Sequence, residues 1–172
     1  MKTLPFLNSC HQVQGLQTAH WVTDEGKRPW AGRTSLRGSK AEGKRLEKQI
    51  AVALVNSGLP DGLERQLYNP WIEFWDASGH HFAQPDFVLV GPSTIVVLEV
   101  KLSQSPFAFD QLLYLYKPLL EHMYPGRRIF LIQVCRIMKA LWDPTCWSLR
   151  EALDLCLDDS KNIPIIHFQG SL

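Results

Sequence analysis

The sequence predicts an α/β (α+β) sandwich in which helices flank a central mixed β-sheet. Two apolar, β-branched runs at 84–90 and 95–101 are separated by a Gly-Pro turn at 91–94, and this pattern predicts a β-hairpin. Apolar residues recur at helical spacing on either side of the hairpin, at 40–57 and at 107–123. A hairpin followed by a helix and a further apolar run is typical of a sheet whose later strands are joined by a crossover helix.

The elements are predicted in the order helix, three strands, helix, strand, helix, strand. The first helix has Ser39 as its N-cap and stops at Gly58 and Pro60. The first strand is interrupted at Pro70, and the second helix continues through Pro118. We expect a meander of three strands, after which the crossover helix places the next strand parallel to its neighbour. The predicted ranges are 40–57, 65–75, 82–90, 95–101, 107–123, 128–134, 148–157 and 163–168.

Composition and charge fit one domain with a sizeable core. The chain has 172 residues, 45% of them hydrophobic, and its formal net charge of +1 does not by itself indicate a nucleic-acid binder. Basic residues nevertheless cluster in one stretch, where only Glu42 and Glu47 oppose them. This stretch predicts either an arm that contacts phosphates or a solubilising arm, and the sequence leaves both open. Its basic residues are Lys27, Arg28, Arg33, Arg37, Lys40, Lys44, Arg45 and Lys48.

Residues 1–38 show no clean periodicity and predict an irregular N-terminal extension before the domain at 39–172. Trp21 and Trp30 are expected to anchor this extension. Cys135 lies in an apolar run and is expected in the core. The cysteines have no zinc-type spacing, which predicts a reducing, cytoplasmic environment, and no apolar run is long enough to predict a membrane span. The four cysteines are Cys10, Cys135, Cys146 and Cys156.

Two acids and a lysine are predicted to meet at one end of the hairpin. Asp86 lies near the start of the first strand and Glu99 near the end of the second, so a hairpin brings them to the same end. Lys101 follows Glu99 by two residues, so both side chains leave the strand on one face. Carboxylate oxygens favour Mg²⁺ or Mn²⁺, with the backbone carbonyl of Val100 as a further ligand. The alternative is a surface ion pair of little energetic weight.

This pattern resembles the motif of the PD-(D/E)xK nuclease superfamily at Pro85, Asp86, Glu99, Val100 and Lys101, within roughly residues 40–135. The resemblance implies a restriction-endonuclease-like core, built as helix, three-strand meander, helix and strand. It also implies a Mg²⁺-dependent deoxyribonuclease, an endonuclease of a phage or bacterium whose partner is DNA. In this reading the two acids bind the metal and the lysine positions or activates the water. Small stand-alone nucleases of this fold commonly dimerise, so a homodimer is implied as well.

Members of this superfamily often add a glutamate from the first helix, and both Glu42 and Glu47 are candidates. Glu47 is preferred as a catalytic residue and metal ligand. Ile50 follows it at i+3 and Leu54 at i+7, so Glu47 lies at the start of the buried stripe. Glu42 has Arg45 and Gln49 at those offsets and is expected to face solvent. The alternative is that both glutamates only offset the charges of the neighbouring lysines and arginines.

Further site residues are implied around the motif. Gln111, on the helix after the lysine, resembles a supporting glutamine of RecB-like members and is expected among the catalytic residues. Ser103 lies two residues past the lysine and is expected on the DNA side of the site. Arg37, Lys40 and Lys44 are the expected contacts to the DNA backbone.

Two other functions stay open from the sequence. One is a non-catalytic DNA-binding or assembly module on the same fold, and the other is a structural domain in which the motif forms an ion-pair cluster. Retention of both acids and the lysine argues against the first of these.

The aromatic and histidine residues near the motif are not counted among the predicted site residues. His80 and His81, at a hairpin tip, could contact DNA or act as an auxiliary base, but they are expected to be simply exposed and outside the site. Trp71 and Trp75 are expected to pack in the core rather than stack on bases. Tyr114 is at least as well explained as a core aromatic with a hydrogen-bonded hydroxyl as it is by a role beside Gln111 in the site.

Overall fold

The computed structural model describes residues 11–22, 38–137, 149–158 and 163–168, which form two β-sheets with helices packed on them. The predicted fold class, a mixed sheet flanked by helices, is confirmed. In chain order the elements are β1 (Thr18–Trp21), α1 (Ser39–Ser57), β2 (Arg65–Tyr68), β3 (Ile72–Asp76), β4 (Gly79–Ala83), β5 (Phe87–Val90), β6 (Thr94–Ser103), α2 (Pro106–Asp110), a π-helical turn (Gln111–Tyr116), α3 (Lys117–Met123), β7 (Arg128–Ile137), α4 (Leu149–Asp158) and β8 (Ile165–His167).

The larger sheet has the strand order β2-β5-β6-β7-β8. The pairs β2–β5 and β5–β6 are antiparallel, whereas β6–β7 and β7–β8 are parallel. The predicted hairpin is confirmed, with Phe87 opposite Leu98 and Val90 opposite Ile95. The predicted parallel crossover between β6 and β7 is confirmed as well, because the helical segments between them return the chain to the same end of the sheet.

Strand β6 lies in the middle of this sheet, and both of its faces are covered. Its residues from Thr94 to Val100 are all buried, as expected for a strand packed on two sides. One face packs against α1 and α4 through residues such as Ile50 and Leu153. The other face is covered by the π-helical turn, α3 and the smaller sheet. The two cores therefore fix the end of β6, where the acid and lysine of the motif lie.

The predicted single strand over 65–75 is in fact two strands that belong to different sheets. Asn69 adopts a positive φ of 50°, and Pro70 has no amide hydrogen to donate, so the ladder ends there. Strand β2 stays in the larger sheet, whereas β3 and β4 form a hairpin in a three-stranded sheet of order β1-β3-β4. The predicted meander consists of β2, β5 and β6, with this hairpin inserted after its first strand.

The N-terminal extension is not irregular throughout, because Thr18–Trp21 forms β1 alongside β3. The indole nitrogen of Trp21 donates to the Tyr124 hydroxyl at 2.8 Å, which confirms its predicted anchoring role. Trp30 lies outside the described residues. Gly38, not the predicted Ser39, occupies the N-cap of α1, and the helix ends at Gly58 with φ 74°, as predicted.

The predicted helix over 107–123 consists of three helical segments with the π-helical turn in the middle. Pro118 lies in the first turn of α3, where a missing amide hydrogen costs little. A π-helical turn contains an extra residue per turn and so shifts which side chains face the core. Tyr116 is buried, whereas Tyr114 is 46% exposed, so the prediction of Tyr114 as a core aromatic is wrong.

Cys135 is buried in β7, as predicted, and lies beside Lys101 in the β6–β7 register. Burial raises the pKa of its thiol, which makes it an unreactive core residue. In the described part of the chain, no helix is both long enough and apolar enough to cross a bilayer.

Candidate active site

Asp86 and Glu99 lie side by side at one end of the β5–β6 hairpin. The register pairs Phe87 with Leu98, so the residues immediately beyond this pair are neighbours across the hairpin. The Oδ2 atom of Asp86 accepts a hydrogen bond from the Val100 amide at 2.8 Å. Glu99 is only 3% exposed, and Asp86 is half-buried. The structure therefore brings the two predicted acids together.

Both acids lie in surroundings that favour their protonated forms. Burial raises the pKa of Asp86 well above its ordinary value, and the charges of Glu99 and Glu47 raise it further. Burial also raises the pKa of Glu99, although the Lys101 ammonium opposes the increase. A cation bound to these carboxylates would favour their ionised forms again.

The ammonium of Lys101 is held against Glu99. Its Nζ atom lies 2.5 Å from Glu99 Oε1, because the two-residue spacing puts both side chains on the same face of β6. Burial lowers the pKa of Lys101, but the neighbouring carboxylate outweighs burial, so the pKa is raised overall. The side chain is 33% exposed. Lys101 is therefore a fixed positive charge that a molecule arriving from solvent can reach.

Glu47 joins this group from α1. It is 7% exposed, and its Oε2 accepts hydrogen bonds from Lys44 Nζ at 2.5 Å and from Asn69 Nδ2 at 3.4 Å. Its charge raises the pKa values of Asp86 and Glu99, which places it within electrostatic reach of both. A third carboxylate is thus added to the two supplied by the hairpin.

Glu42, the other candidate on α1, lies outside this group. Its side chain is 55% exposed, and its Oε1 is 3.9 Å from a guanidinium nitrogen of Arg136. An ion pair this long, with one partner largely exposed, contributes little to the stability of the fold. Glu47 is therefore the buried one of the two glutamates, as the helical spacing of Ile50 and Leu54 predicted.

Residues that the sequence did not single out fix the loops beside Asp86. The Asn69 amide donates to the Asp86 carbonyl at 2.9 Å, and Gln84 Nε2 donates to the Asn69 carbonyl at 2.9 Å. The Tyr116 hydroxyl donates to the Gln84 carbonyl at 3.1 Å. Burial, together with the charges of the nearby acids, raises the pKa of Tyr116 well above its ordinary value. The Asn69-Pro70 dipeptide, which is typical of turns, was the available signal for part of this support.

One buried carboxylate oxygen of the group has no hydrogen-bond partner within the described ranges. This atom is the buried Oε2 of Glu99. The fully buried amide of Gln133, opposite Glu99 in the β6–β7 register, also has no partner in that part of the chain. In the sequence, Gln133 is the one glutamine within the apolar run 129–135, and this isolated polar residue was the available signal for a buried polar side chain. Unpartnered buried polar atoms are costly and therefore uncommon in folded proteins.

The donor set of this group fits a hard divalent cation. Three carboxylates face the two ammonium groups of Lys44 and Lys101, so one negative charge is uncompensated when all are ionised. Every side-chain atom that could bind a metal here is a carboxylate oxygen. One buried oxygen among them, Oε2 of Glu99, has no hydrogen-bond partner among the described residues. Mg²⁺ and Mn²⁺ prefer oxygen ligands of this kind. The side chains of this group are therefore of the chemical type that a hard divalent cation takes.

The remaining predicted site residues lie on β6, on the π-helical turn and on α1, or outside the described ranges. Ser103 ends β6 on the same face as the site lysine and is half-buried. Gln111 begins the π-helical turn, and no hydrogen bond within the described ranges joins its side chain to the carboxylates. Lys40 is exposed, one turn before Lys44 on α1. Arg37 lies outside the residues that the structure describes.

The smaller sheet contains a second group of ligand-type side chains. His11, Asp76 and His81 could hold a metal ion, because one potential ligand atom of each lies within 4.8 Å of the others. His81 is 6% exposed, so the prediction that this residue would be exposed is wrong. Successive residues of β4 point to opposite faces, so His81 faces the core and half-buried His80 faces outward, where it bonds to Glu73 at 2.8 Å.

Trp75 also lies on the outer face of the smaller sheet. Its ring stacks on His80 with centroids 4.2 Å apart, and on His20 with centroids 6.0 Å apart. The buried residues of β3 are Ile72, Phe74 and Asp76, so the alternation of the strand turns Trp75 away from the core. The prediction that Trp75 packs in the core is therefore wrong.

Comparison with known proteins does not assign a family. No protein-family model matches the chain, and no curated protein matches it. Among solved structures, the crystal structure of protein VC1899 from Vibrio cholerae aligns at 13% sequence identity with a TM-score of 0.42. The alignment covers 74% of this chain and 30% of that chain. A similarity at this level carries no inference about function.

Proposed function

We propose that the protein is a Mg²⁺-dependent deoxyribonuclease that hydrolyses phosphodiester bonds within DNA. The observation that carries the proposal is the meeting of Asp86, Glu99 and Lys101 at the end of one buried hairpin, with an oxygen of Glu99 left without a partner among the described residues. Acids with strongly raised pKa values at such a position are typical of functional sites. The resemblance of these residues to the PD-(D/E)xK motif supports the same function.

The proposed ligands are Asp86 and Glu99, with Glu47 and the backbone carbonyl of Val100 completing the protein's contribution. When bound, Mg²⁺ supplies a water of lowered pKa and neutralises charge on the phosphate. The hydrogen bond from the Val100 amide keeps the carboxylate of Asp86 in position. Lys44 keeps the carboxylate of Glu47 in position at 2.5 Å. The ligands are therefore oriented before substrate arrives, which lowers the cost of assembling the site.

Lys101 has the role of positioning the attacking water and stabilising negative charge on the phosphorus oxygens. Its raised pKa keeps it an ammonium, so it acts as a donor and a charge rather than as a base. Contact with Glu99 fixes its amine, and partial exposure leaves it open to a phosphate group. Gln111 and Ser103 are proposed as supporting residues, Ser103 on the side where DNA enters.

The N-terminal end of α1 is the proposed contact to the DNA backbone. Lys40 and Lys44 are four residues apart and therefore lie on one face of the helix. Lys44 also contacts Glu47, so a phosphate bound along this face would lie close to the carboxylates. Arg37 is proposed to extend this contact. We further propose a homodimer, which allows both strands of a duplex to be cut, and a cytoplasmic location in which the buried Cys135 thiol stays reduced.

A structural ion-pair cluster accounts less well for the same residues. An ion pair that serves stability alone needs one acid for each base, because an excess buried charge is destabilising. Here Glu47, Asp86 and Glu99 outnumber the two lysines, and the pKa of Asp86 is raised rather than lowered. The imbalance is relieved either when an acid takes up a proton or when a cation binds, and the second of these supports a cation-binding role for the group.

The test is cleavage of supercoiled plasmid by the full chain in the presence of Mg²⁺ or Mn²⁺, with chelator as the blank. Asp86→Asn and Lys101→Met should each lower the rate by at least about 100-fold, since each removes a charge acting at the reaction centre. The matched controls are Glu121→Gln and Lys117→Met. These residues form an exposed pair on α3 at 3.8 Å, with side chains 54% and 43% exposed. Both controls should cleave at the wild-type rate.

Each outcome of this assay decides between functions. Cleavage that survives both site substitutions would assign the activity elsewhere and remove the proposed site. Binding of DNA by the wild type with no cleavage under either metal would favour the non-catalytic module. Absence of both binding and cleavage would leave the structural domain as the better description.

A further inference from the structure

His11, Asp76 and His81 come from three separate parts of the chain and meet at the smaller sheet. His11 Nε2 lies 2.8 Å from Asp76 Oδ2, and His81 Nε2 lies 3.3 Å from Asp76 Oδ1. The two imidazole rings have centroids 4.9 Å apart. One potential ligand atom of each residue lies within 4.8 Å of the other two, which is a spacing that a single ion can bridge.

This cluster is on the inner face of the sheet, where the strand alternation otherwise places apolar residues. Asp76 is 4% exposed, His81 is 6% exposed, and both histidine rings pack against Phe74. The Nδ1 atom of His81 is buried and has no hydrogen-bond partner within the described ranges. A buried, unpartnered imidazole nitrogen is costly, and metal ligation is one of the few roles that explains it.

The ligands of the cluster are already oriented by a neighbouring residue. The Ser78 backbone amide donates to Asp76 Oδ1 at 2.8 Å, and the Ser78 hydroxyl lies 2.7 Å from the same atom. The same hydroxyl is 2.8 Å from His81 Nε2. Outer contacts of this kind fix the geometry of metal-binding carboxylates and imidazoles. The contact between His11 and Asp76 requires a proton between them, and a metal ion can take the place of that proton.

We propose that His11, Asp76 and His81 bind a borderline transition-metal ion, with Zn²⁺ as the expected occupant. Two imidazoles and one carboxylate suit Zn²⁺ and Co²⁺, whereas the carboxylates near Lys101 suit Mg²⁺. The bound ion ties the segment before β1 to the β3–β4 hairpin. Its role is structural, because it joins positions 11 and 76, which are 65 residues apart in the sequence. The proposal is independent of nuclease activity.

The full chain is first treated with chelator. Its binding of Zn²⁺ is then measured by calorimetric titration, and its unfolding temperature is measured with and without Zn²⁺. The wild type should bind Zn²⁺ at this site, and an excess should raise its unfolding temperature by about 5 °C or more. His11→Gln should weaken binding at least about 10-fold and abolish the shift. His20→Gln is the matched control, because His20 is an exposed histidine bonded to Glu73 at 3.2 Å. Asp86→Asn is the control for the carboxylate site.

Co²⁺ provides a second measurement, in which the spectrum of the wild type does not depend on the stability of any variant. The wild type should show the visible absorption of a four-coordinate Co²⁺ site without sulfur charge-transfer bands, and His11→Gln should lose it. If Zn²⁺ binds the His11→Gln protein as tightly as the wild type, or if the wild type binds none, the cluster is a hydrogen-bonded one only and the proposal is wrong. Equal loss in Asp86→Asn would assign the zinc to the carboxylates and overturn it as well.

Discussion

The carboxylate of Asp86 accepts a hydrogen bond at 2.8 Å from the amide of Val100, the residue between Glu99 and Lys101. This contact joins the two halves of the acid-lysine motif across the β5–β6 hairpin, beyond the last paired residues, Phe87 and Leu98. The position of the acid is thus set by the backbone of the neighbouring strand. A substitution that keeps the acceptor oxygen but removes the charge separates the structural role of Asp86 from its chemical role.

Asp86→Asn should stabilise the metal-free protein while abolishing plasmid cleavage. Burial and the charges of Glu99 and Glu47 raise the pKa of Asp86, so at neutral pH the ionised carboxylate disfavours the folded state. Asparagine keeps an oxygen for the Val100 amide and removes this repulsion. We expect a gain of about 1 kcal/mol in the free energy of unfolding, measured by urea denaturation in the presence of chelator. Glu121→Gln should show no gain, and a loss of stability in Asp86→Asn would contradict the electrostatic account.

Local patterns in the sequence predicted the parts of the fold and site that local physics controls. The hairpin and the parallel strand β7 follow from the periodicity of apolar residues and the Gly-Pro turn. The burial of Glu47 follows from the spacing of Ile50 and Leu54, which fixes the buried side of α1. Each of these depends on spacings of a few residues along one element.

The rest depends on contacts that no local pattern determines. Pro70 marks an interruption of the strand, but the sequence does not show that the chain changes sheets there. Tyr116 and Gln84 are brought together from positions 32 residues apart. His81 is buried only because β3, β4 and the segment containing His11 pack on one another. Such side chains become site residues through tertiary structure alone.

Glu47→Gln should weaken metal binding, whereas Glu42→Gln should not. Glu47 is buried and its charge raises the pKa values of Asp86 and Glu99, while the side chain of Glu42 is 55% exposed and lies near Arg136. Removing the charge of Glu47 should lower the affinity of the protein for Mn²⁺ by about 10-fold to 100-fold, as measured by calorimetric titration. The two substitutions are chemically identical and lie on the same helix, so a difference reflects position alone. Equal effects from both would remove Glu47 from the site.

Tyr116→Phe should destabilise the protein by about 1 kcal/mol, because it removes the buried hydroxyl that donates to the Gln84 carbonyl at 3.1 Å. Gln84 also donates to the Asn69 carbonyl, so the loop before Asp86 loses part of its support. We therefore expect a lower rate of plasmid cleavage as well. The control is Tyr114→Phe, since Tyr114 is 46% exposed on the same π-helical turn and should change neither quantity. An unchanged free energy of unfolding for Tyr116→Phe would show that water replaces the lost hydroxyl.

Asp76 should give the protein a component of stability that is lost in acid. Burial opposes ionisation of Asp76, but hydrogen bonds from Ser78 and His11 outweigh it and lower its pKa from 3.8 to about 2. A carboxyl whose pKa is lowered in the folded state contributes fully above its unfolded value and loses its contribution as the pH falls through the folded value. The contribution is about 2 kcal/mol at neutral pH and disappears between about pH 4 and about pH 2.

The measurement is the free energy of unfolding against pH, in the presence of chelator, for the wild type and for Asp76→Asn. The variant should be less stable at neutral pH, and the difference should shrink as the pH falls below about 4, because the wild-type carboxyl then takes up a proton. Glu73→Gln is the matched control, since Glu73 lies in the same strand with a side chain 25% exposed. A constant difference between wild type and Asp76→Asn across this range would mean that the loss comes from packing rather than from the charge of Asp76.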